Sequence, residues 1–131
     1  MADVSALEVV EQAWDRWVAA DLDGFVALWD VNGSWTNAGQ SQISGTWRGH
    51  DEIVKVAQIA FEVSGGTLQA RPIELAAAGD EAVLGYLHLE ATRPGASLDQ
   101  DALQRFVVRN GKVVSLDNMW ADGAAVDAFY Q

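Results

Sequence analysis

The chain of 131 residues contains no cysteine, which excludes disulfides, thiolate metal sites and a cysteine nucleophile. Basic residues are scarce too: 8 Lys and Arg stand against 19 Asp and Glu, a formal charge of −11. Such a chain repels a phosphate backbone and an anionic bilayer, so neither nucleic acid nor membrane is an expected partner. The acidic residues are scattered rather than in runs, and solubility accounts for them. No continuous apolar run or basic start opens the chain. Met1 to Trp17 is acidic and amphipathic, and reads as neither signal peptide nor membrane anchor. A cytoplasmic location is the resulting expectation, and the Asn32-Gly33-Ser34 sequon has no meaning there. A G-x-S-x-G elbow and a phosphate-binding loop are also missing, since Ser64-Gly65-Gly66-Thr67 has neither the lysine nor a preceding strand. The two histidines, His50 and His88, lie in no ligand spacing. A metal would need a histidine with carboxylates, so no metal and no organic cofactor are expected.

What the chain does have is apolar mass. Half of its residues are apolar, and six are tryptophan: Trp14, Trp17, Trp29, Trp35, Trp47 and Trp120. Spread along one chain, they are expected to meet in three dimensions, either as packed core or as the lining of an apolar ligand cavity. The length suits one domain over residues 1–131, able to bury roughly two thirds of its surface without staples.

Ser5-x-x-Glu8 is a capping box, followed at helical spacing by Ala6, Val10, Ala13, Trp14 and Trp17. Asp21 can cap a second helix carrying Leu22, Phe25, Val26 and Trp29, broken by Asn32-Gly33. Ser34 to Ala38 reads as a short strand before a Gly/Ser/Gln loop, and a third helix is expected from about Asp51 to Val63, closed by Ser64-Gly65-Gly66. From there the period becomes two. Strands are expected near 67–76, 82–93, 98–109 and 112–121, with Asn110-Gly111 the strongest hairpin signal, and a final helix over Gly123 to Tyr130. Helices first and a meander after them make an α+β protein, its helices on one face of a curved antiparallel sheet.

The strand at 83–93 carries the functional question. Val83, Leu87, Leu89 and Ala91 alternate with Tyr86, His88 and Glu90. A polar face is ordinarily solvated; turned inward, it would place an acid and a base two residues apart in a pocket. Other polar residues that could converge are Asn37, Gln104 and Asn118. Asn118 shares a strand face with Val114, Leu116 and Trp120, and reads either as a satisfied buried amide or as a site residue.

The order of these elements, with Gly45-Thr-Trp-Arg-Gly49 before the third helix and Arg105-Phe-Val-Val-Arg-Asn-Gly-Lys-Val-Val114 at the hairpin, resembles the nuclear transport factor two-like superfamily, in its SnoaL-like branch. Asp21-Leu-Asp-Gly-Phe25 and the closing segment Ala124 to Phe129 are similar to that family as well, so the likeness spans nearly the whole chain. The resemblance implies a cone-shaped fold enclosing a small-molecule cavity, and a homodimer through the convex sheet face. On that reading Val83, Leu87 and Leu89, with Leu103 and Val107, form the dimer face. Tyr86, His88, Glu90, Gln104 and Asn118 then look into the cavity.

Fold does not set function here, since the superfamily holds isomerases, hydrolases, cyclases and non-catalytic binders. The positions similar to the ketosteroid isomerase machinery carry Ala13, Asn37 and Ala102, so that route is lost. Trp35-x-Asn37 and His88-x-Glu90 are similar to the limonene-epoxide hydrolase pairs Tyr-x-Asn and Arg-x-Asp, but Asn118 stands where its last aspartate would. The resemblance therefore implies an enzyme of secondary metabolism acting on a hydrophobic small molecule: a cyclase, an isomerase or an epoxide-opening hydrolase. Glu90 would be its acid or base, His88 the partner, and Asn37 and Asn118 the orienting amides. Trp17, Trp35, Trp47 and Trp120 would form the walls, with Tyr86, Gln104 and Leu116 beside them. The alternative is a binding protein that uses the same cavity without catalysis.

Overall fold

The computed structural model describes residues 4–131. Helix α1 (Ala6–Val18) starts as its capping box dictates, the Ser5 hydroxyl accepting from the Glu8 amide at 3.1 Å. Its buried residues Ala6, Val9, Val10, Ala13 and Trp14 recur every three or four positions and form one stripe. Asp21 caps α2 (Leu22–Ala27) through the Gly24 amide at 2.9 Å. Helix α3 (His50–Val63) turns Ile53, Val56, Ala57 and Ala60 inward, and α4 (Gly123–Phe129) buries Val126 and Phe129.

Six strands follow the order β2-β1-β6-β5-β4-β3 in one curved sheet. They are β1 (Trp29–Asn37), β2 (Gly45–Arg48), β3 (Gln69–Ala78), β4 (Ala82–Arg93), β5 (Ala96–Arg109) and β6 (Lys112–Trp120). All neighbours pair antiparallel except β1 and β6, which run parallel, so the sheet is mixed rather than a pure meander. The β5–β6 hairpin turns on Asn110 and Gly111, both at positive φ (53° and 74°), as a primed two-residue turn requires. Pro72 lies in the edge strand β3, where a missing N–H costs no ladder bond on the open side.

Two expectations are corrected at the start of the sheet. Trp29 belongs to β1, not to α2, and β1 runs through Asn32-Gly33 rather than starting after it. The register between β1 and β6 shifts between Trp29 and Ser34. A Cβ on Gly33 would come within 2.9 Å of the Trp29 ring and 3.0 Å of the Val113 carbonyl, so the glycine that reads as a break permits an irregular strand. Residues 45–48, within the segment taken as a loop, pair with β1 as β2.

The helices lie on one face of the sheet, and the core fills the space between. Val10, Ile53, Val83 and Val113 have no exposed surface at all. Each such side chain contributes about 1.5–3 kcal/mol of burial.

Candidate functional site

Burial along β4 decides which face of the sheet looks inward. Val83, Gly85, Leu87, Leu89 and Ala91 are buried, whereas Leu84, Tyr86, His88 and Glu90 are not. The inside is therefore the apolar row. Tyr86, His88 and Glu90 lie on the outer face, which overturns the expectation that they look into the cavity. Val83, Leu87 and Leu89 are likewise not available as an outer contact face. The cause is the company on the inner side. The apolar stripes of α1 and α3 meet the sheet there, and charges opposite Val10, Ala13 and Trp14 would be buried without partners at a cost of several kcal/mol.

On the outer face the polar residues of β4 find partners on both neighbouring strands. His88 stands opposite Asp101, Glu90 opposite Asp99, and Arg71 of β3 on the other side of His88. The imidazole Nδ1 lies 2.6 Å from Asp101, and Nε2 lies 2.8 Å from Asp99 and 3.3 Å from Glu90. Arg71 reaches Glu90 at 3.7 Å. The Tyr86 hydroxyl donates to the second oxygen of Asp101. The Asp101 bond, aided by the charges of Asp99, Asp101 and Glu90, raises the His88 pKa above 6.5, with partial burial opposing it. Bonds from Tyr86 and His88 hold the Asp101 carboxyl below its ordinary value, and the carboxylate in turn raises the Tyr86 phenol. His88, Glu90 and Asp99 offer ligand atoms within 4.8 Å of one another, the sole such group among the described residues. Each is already engaged in the ion pairs just described, and Glu90 and Asp99 are 45% and 74% exposed.

The inner face holds a cavity of about 70 Å³. Trp14 and Trp17 of α1 wall it on one side, Trp35, Leu87, Leu89 and Leu116 on the sheet side, with Trp120 and Tyr130 toward the C-terminus. Three of the six tryptophans meet ring to ring: Trp17 packs at 5.3 Å from Phe25, 5.8 Å from Trp35 and 5.0 Å from Phe61, and Trp29 stacks on Trp35 at 6.1 Å. Trp47 is not part of the wall. Its indole N–H donates to the Ile43 carbonyl at 3.0 Å, behind the β1 end. Tyr130 is the one titratable group of the wall; burial pushes its phenol up to about 12, and its hydroxyl points to the Ala60 carbonyl at 3.5 Å.

Three polar side chains of the sheet enter this wall: Asn37, Gln104 and Asn118, all more than nine-tenths buried. The register explains the convergence, since Asn37 pairs with Asn118 across β1–β6 and Gln104 with Asn118 across β5–β6. Asn37 Oδ1 accepts from Trp35 Nε1 at 2.8 Å and from Asn118 Nδ2 at 2.9 Å, while Asn37 Nδ2 donates to the Ile43 carbonyl at 2.8 Å. Asn118 Oδ1 and Gln104 Oε1 are buried with no partner, as are the indole nitrogens of Trp14 and Trp29.

Of the residues expected from sequence, Trp17, Trp35, Trp120, Asn37, Gln104, Leu116 and Asn118 line the cavity, whereas Trp47, Tyr86, His88 and Glu90 do not. Missed were Trp14, Ile43, Leu87, Leu89, Phe106 and Tyr130. For Leu87, Leu89 and Phe106 the signal was the demand of the amphipathic helices for an apolar sheet face.

Known proteins match this chain along most of its length. The model of the SnoaL-like domain matches residues 10–116. An uncharacterised protein of Mycobacterium tuberculosis is 24% identical over 130 residues, covering 99% of each chain. Among solved structures, Bal32a from a soil-derived mobile gene cassette superposes with a TM-score of 0.90 at 27% identity over 95% of both chains. TerC, co-crystallised with polyporic acid, superposes at 0.83 with 19% identity, covering 95% of this chain and 97% of its own.

Proposed function

The chain belongs to the SnoaL-like domain family, and on that premise we propose that it binds a small, largely apolar molecule in the inner cavity, without an acid or base of its own to transfer protons there. The observation that carries this reading is the wall itself. Among the described residues it holds no carboxylate, imidazole, amine or guanidinium, and its single phenol is held up to about 12. General acid–base catalysis needs a group within hydrogen-bond reach of the reacting atom, and a tyrosine so far from neutrality exchanges protons poorly. Glu90 and His88 lie across the sheet from the cavity, so the reading no longer runs through them. Support for a ligand role comes also from TerC, the neighbour of like fold that was co-crystallised with polyporic acid.

Size narrows the ligand. About 70 Å³ is several times the ~10–15 Å³ that one ordered water needs, yet below the ~300–1,000 Å³ of drug-sized sites. It suits a single substituted ring, and anything larger requires Trp17 or Trp120, the half-buried tryptophans of the wall, to swing outward. The test is a calorimetric titration with ethylbenzene. Binding to the wild type, its loss in Leu89→Trp and its survival in Glu90→Gln support the reading; binding lost in Glu90→Gln but kept in Leu89→Trp would overturn it.

A second copy of the chain is the proposed partner, through the outer face. Tyr86, Leu103 and Met119 stand in line across β4, β5 and β6, flanked by Leu84, and their exposures run from 39% to 50%. Such a contiguous exposed apolar strip on a sheet favours self-association. This replaces Val83, Leu87 and Leu89 as the contact residues and retains Leu103.

A further inference from the structure

We infer that the Asn118 corner of the cavity takes a hydrogen-bond donor, favouring a neutral ring compound that carries a hydroxyl or N–H group over one of the same shape without a donor. The inference rests on the binding role just proposed and names the class of ligand. Its sense follows from a chain of obligate donors. An indole N–H can only donate, so the atom of Asn37 that lies 2.8 Å from Trp35 Nε1 is the amide oxygen. The Asn37 nitrogen then faces the Ile43 carbonyl at 2.8 Å, which can only accept, and the two assignments agree. Asn37 Oδ1 also meets Asn118 at 2.9 Å, and only the Asn118 nitrogen can donate there. Trp35 therefore fixes Asn37, and Asn37 fixes Asn118. The arm of Asn118 left over is its oxygen, buried, unpartnered and part of the cavity wall.

Gln104 lies one strand away, and no obligate donor or acceptor fixes its amide as Trp35 fixes Asn37. It pairs with Asn118 across β5–β6, and its Oε1 is likewise buried without a partner. Gly85, opposite it on β4, makes the room: a Cβ there would stand 3.3 Å from Gln104 Oε1. The unmet Asn118 oxygen in an apolar wall is a demand for a donor, because a buried polar group without a hydrogen bond is costly and a ligand that supplies one recovers that cost. A carbonyl or carboxylate would set lone pairs against lone pairs, and no cation of the wall could offset an anion. A phenol or a cyclic alcohol satisfies both demands, its ring against Trp17, Trp35 and Leu89 and its hydroxyl at Asn118.

The experiment compares p-cresol with 4-fluorotoluene, which has nearly the same shape but no donor, by calorimetric titration of the full chain. The wild type is expected to bind p-cresol about 2–10-fold more tightly, the gain of one net hydrogen bond. Asn118→Leu should abolish that preference while retaining 4-fluorotoluene. Equal affinities in the wild type, or a preference that survives in Asn118→Leu, overturn the inference and leave the binding role standing. If ethylbenzene and 4-fluorotoluene both fail to bind, the binding role itself falls, and this inference with it.

Discussion

Replacing Asn37 by leucine should destabilise the protein far more than replacing Asn118 by leucine, although the two amides touch and are equally buried. Asn37→Leu deletes the oxygen that receives Trp35 Nε1 and Asn118 Nδ2, leaving two buried donors without partners. Each orphan costs about 1–3 kcal/mol, so the loss from the two is ~2–6 kcal/mol. The Ile43 carbonyl is spared, since Trp47 Nε1 still donates to it at 3.0 Å. Asn118→Leu breaks a single bond, after which Asn37 Oδ1 still accepts from Trp35. It also removes an oxygen that had no partner to begin with. The cost should stay under ~1 kcal/mol and can turn into a gain. Urea unfolding followed by tryptophan fluorescence and circular dichroism measures both, and a melting temperature lowered on the order of 10 °C for Asn37→Leu alone is the thermal counterpart. Equal costs for the two variants, or a larger one for Asn118→Leu, would refute the directed network and with it the orientation of the Asn118 oxygen.

The outer-face cluster makes stability depend on pH. Because the folded His88 pKa lies above 6.5, its contribution is full below that value and is lost as pH rises through the folded one. Melting temperature should therefore fall as pH rises past 6.5 and through the folded His88 pKa, and fall less in His88→Gln; identical profiles would remove His88 as the cause. The Asp101 contribution has the opposite sense, present above 3.8 and lost as acid titrates the folded carboxylate, so Asp101→Asn should flatten the acid limb of the same curve. Leu103→Glu, which places a charge on the outer apolar strip, should convert a dimer into a monomer by light scattering without loss of helix signal. A wild type already monomeric at protein concentrations on the order of tens of micromolar would end the dimer proposal. Leu89→Glu, by contrast, puts the charge into the cavity wall and should cost several kcal/mol of stability.

Local chemistry made much of the fold legible. Ser5 and Glu8 mark the start of α1, and Asn110-Gly111 marks the β5–β6 turn, because caps and tight turns are specified by residues a few positions apart. What stayed hidden depends on distant pairing. The parallel contact of β1 with β6 joins residues about eighty positions apart, and no local pattern announces it. Trp29 continued an apolar helical pattern, yet its strand pairing prevailed. The face of β4 was the costliest ambiguity. Period-two alternation separates Leu87 and Leu89 from His88 and Glu90 but does not say which pair is inside. The resemblance to cavity enzymes drew the polar pair inward, whereas the apolar stripes of α1 and α3 required the opposite. Asn118 stands out in the sequence as the one amide among the apolar residues of its strand face, but its pairing with Asn37 and Gln104 lies in the long-range register and has no local signal.

The central claim, that the ligand site is the apolar inner face of the sheet, can be read directly from leucine methyl resonances. With 13C-methyl-labelled leucine, p-cresol should shift the methyl signals of Leu87, Leu89, Leu98 and Leu116, which line the cavity, through the ring current of the bound aromatic. Leu84 and Leu103 on the outer face should stay in place. Shifts confined to Leu84 and Leu103, beside His88 and Glu90, would contradict the account.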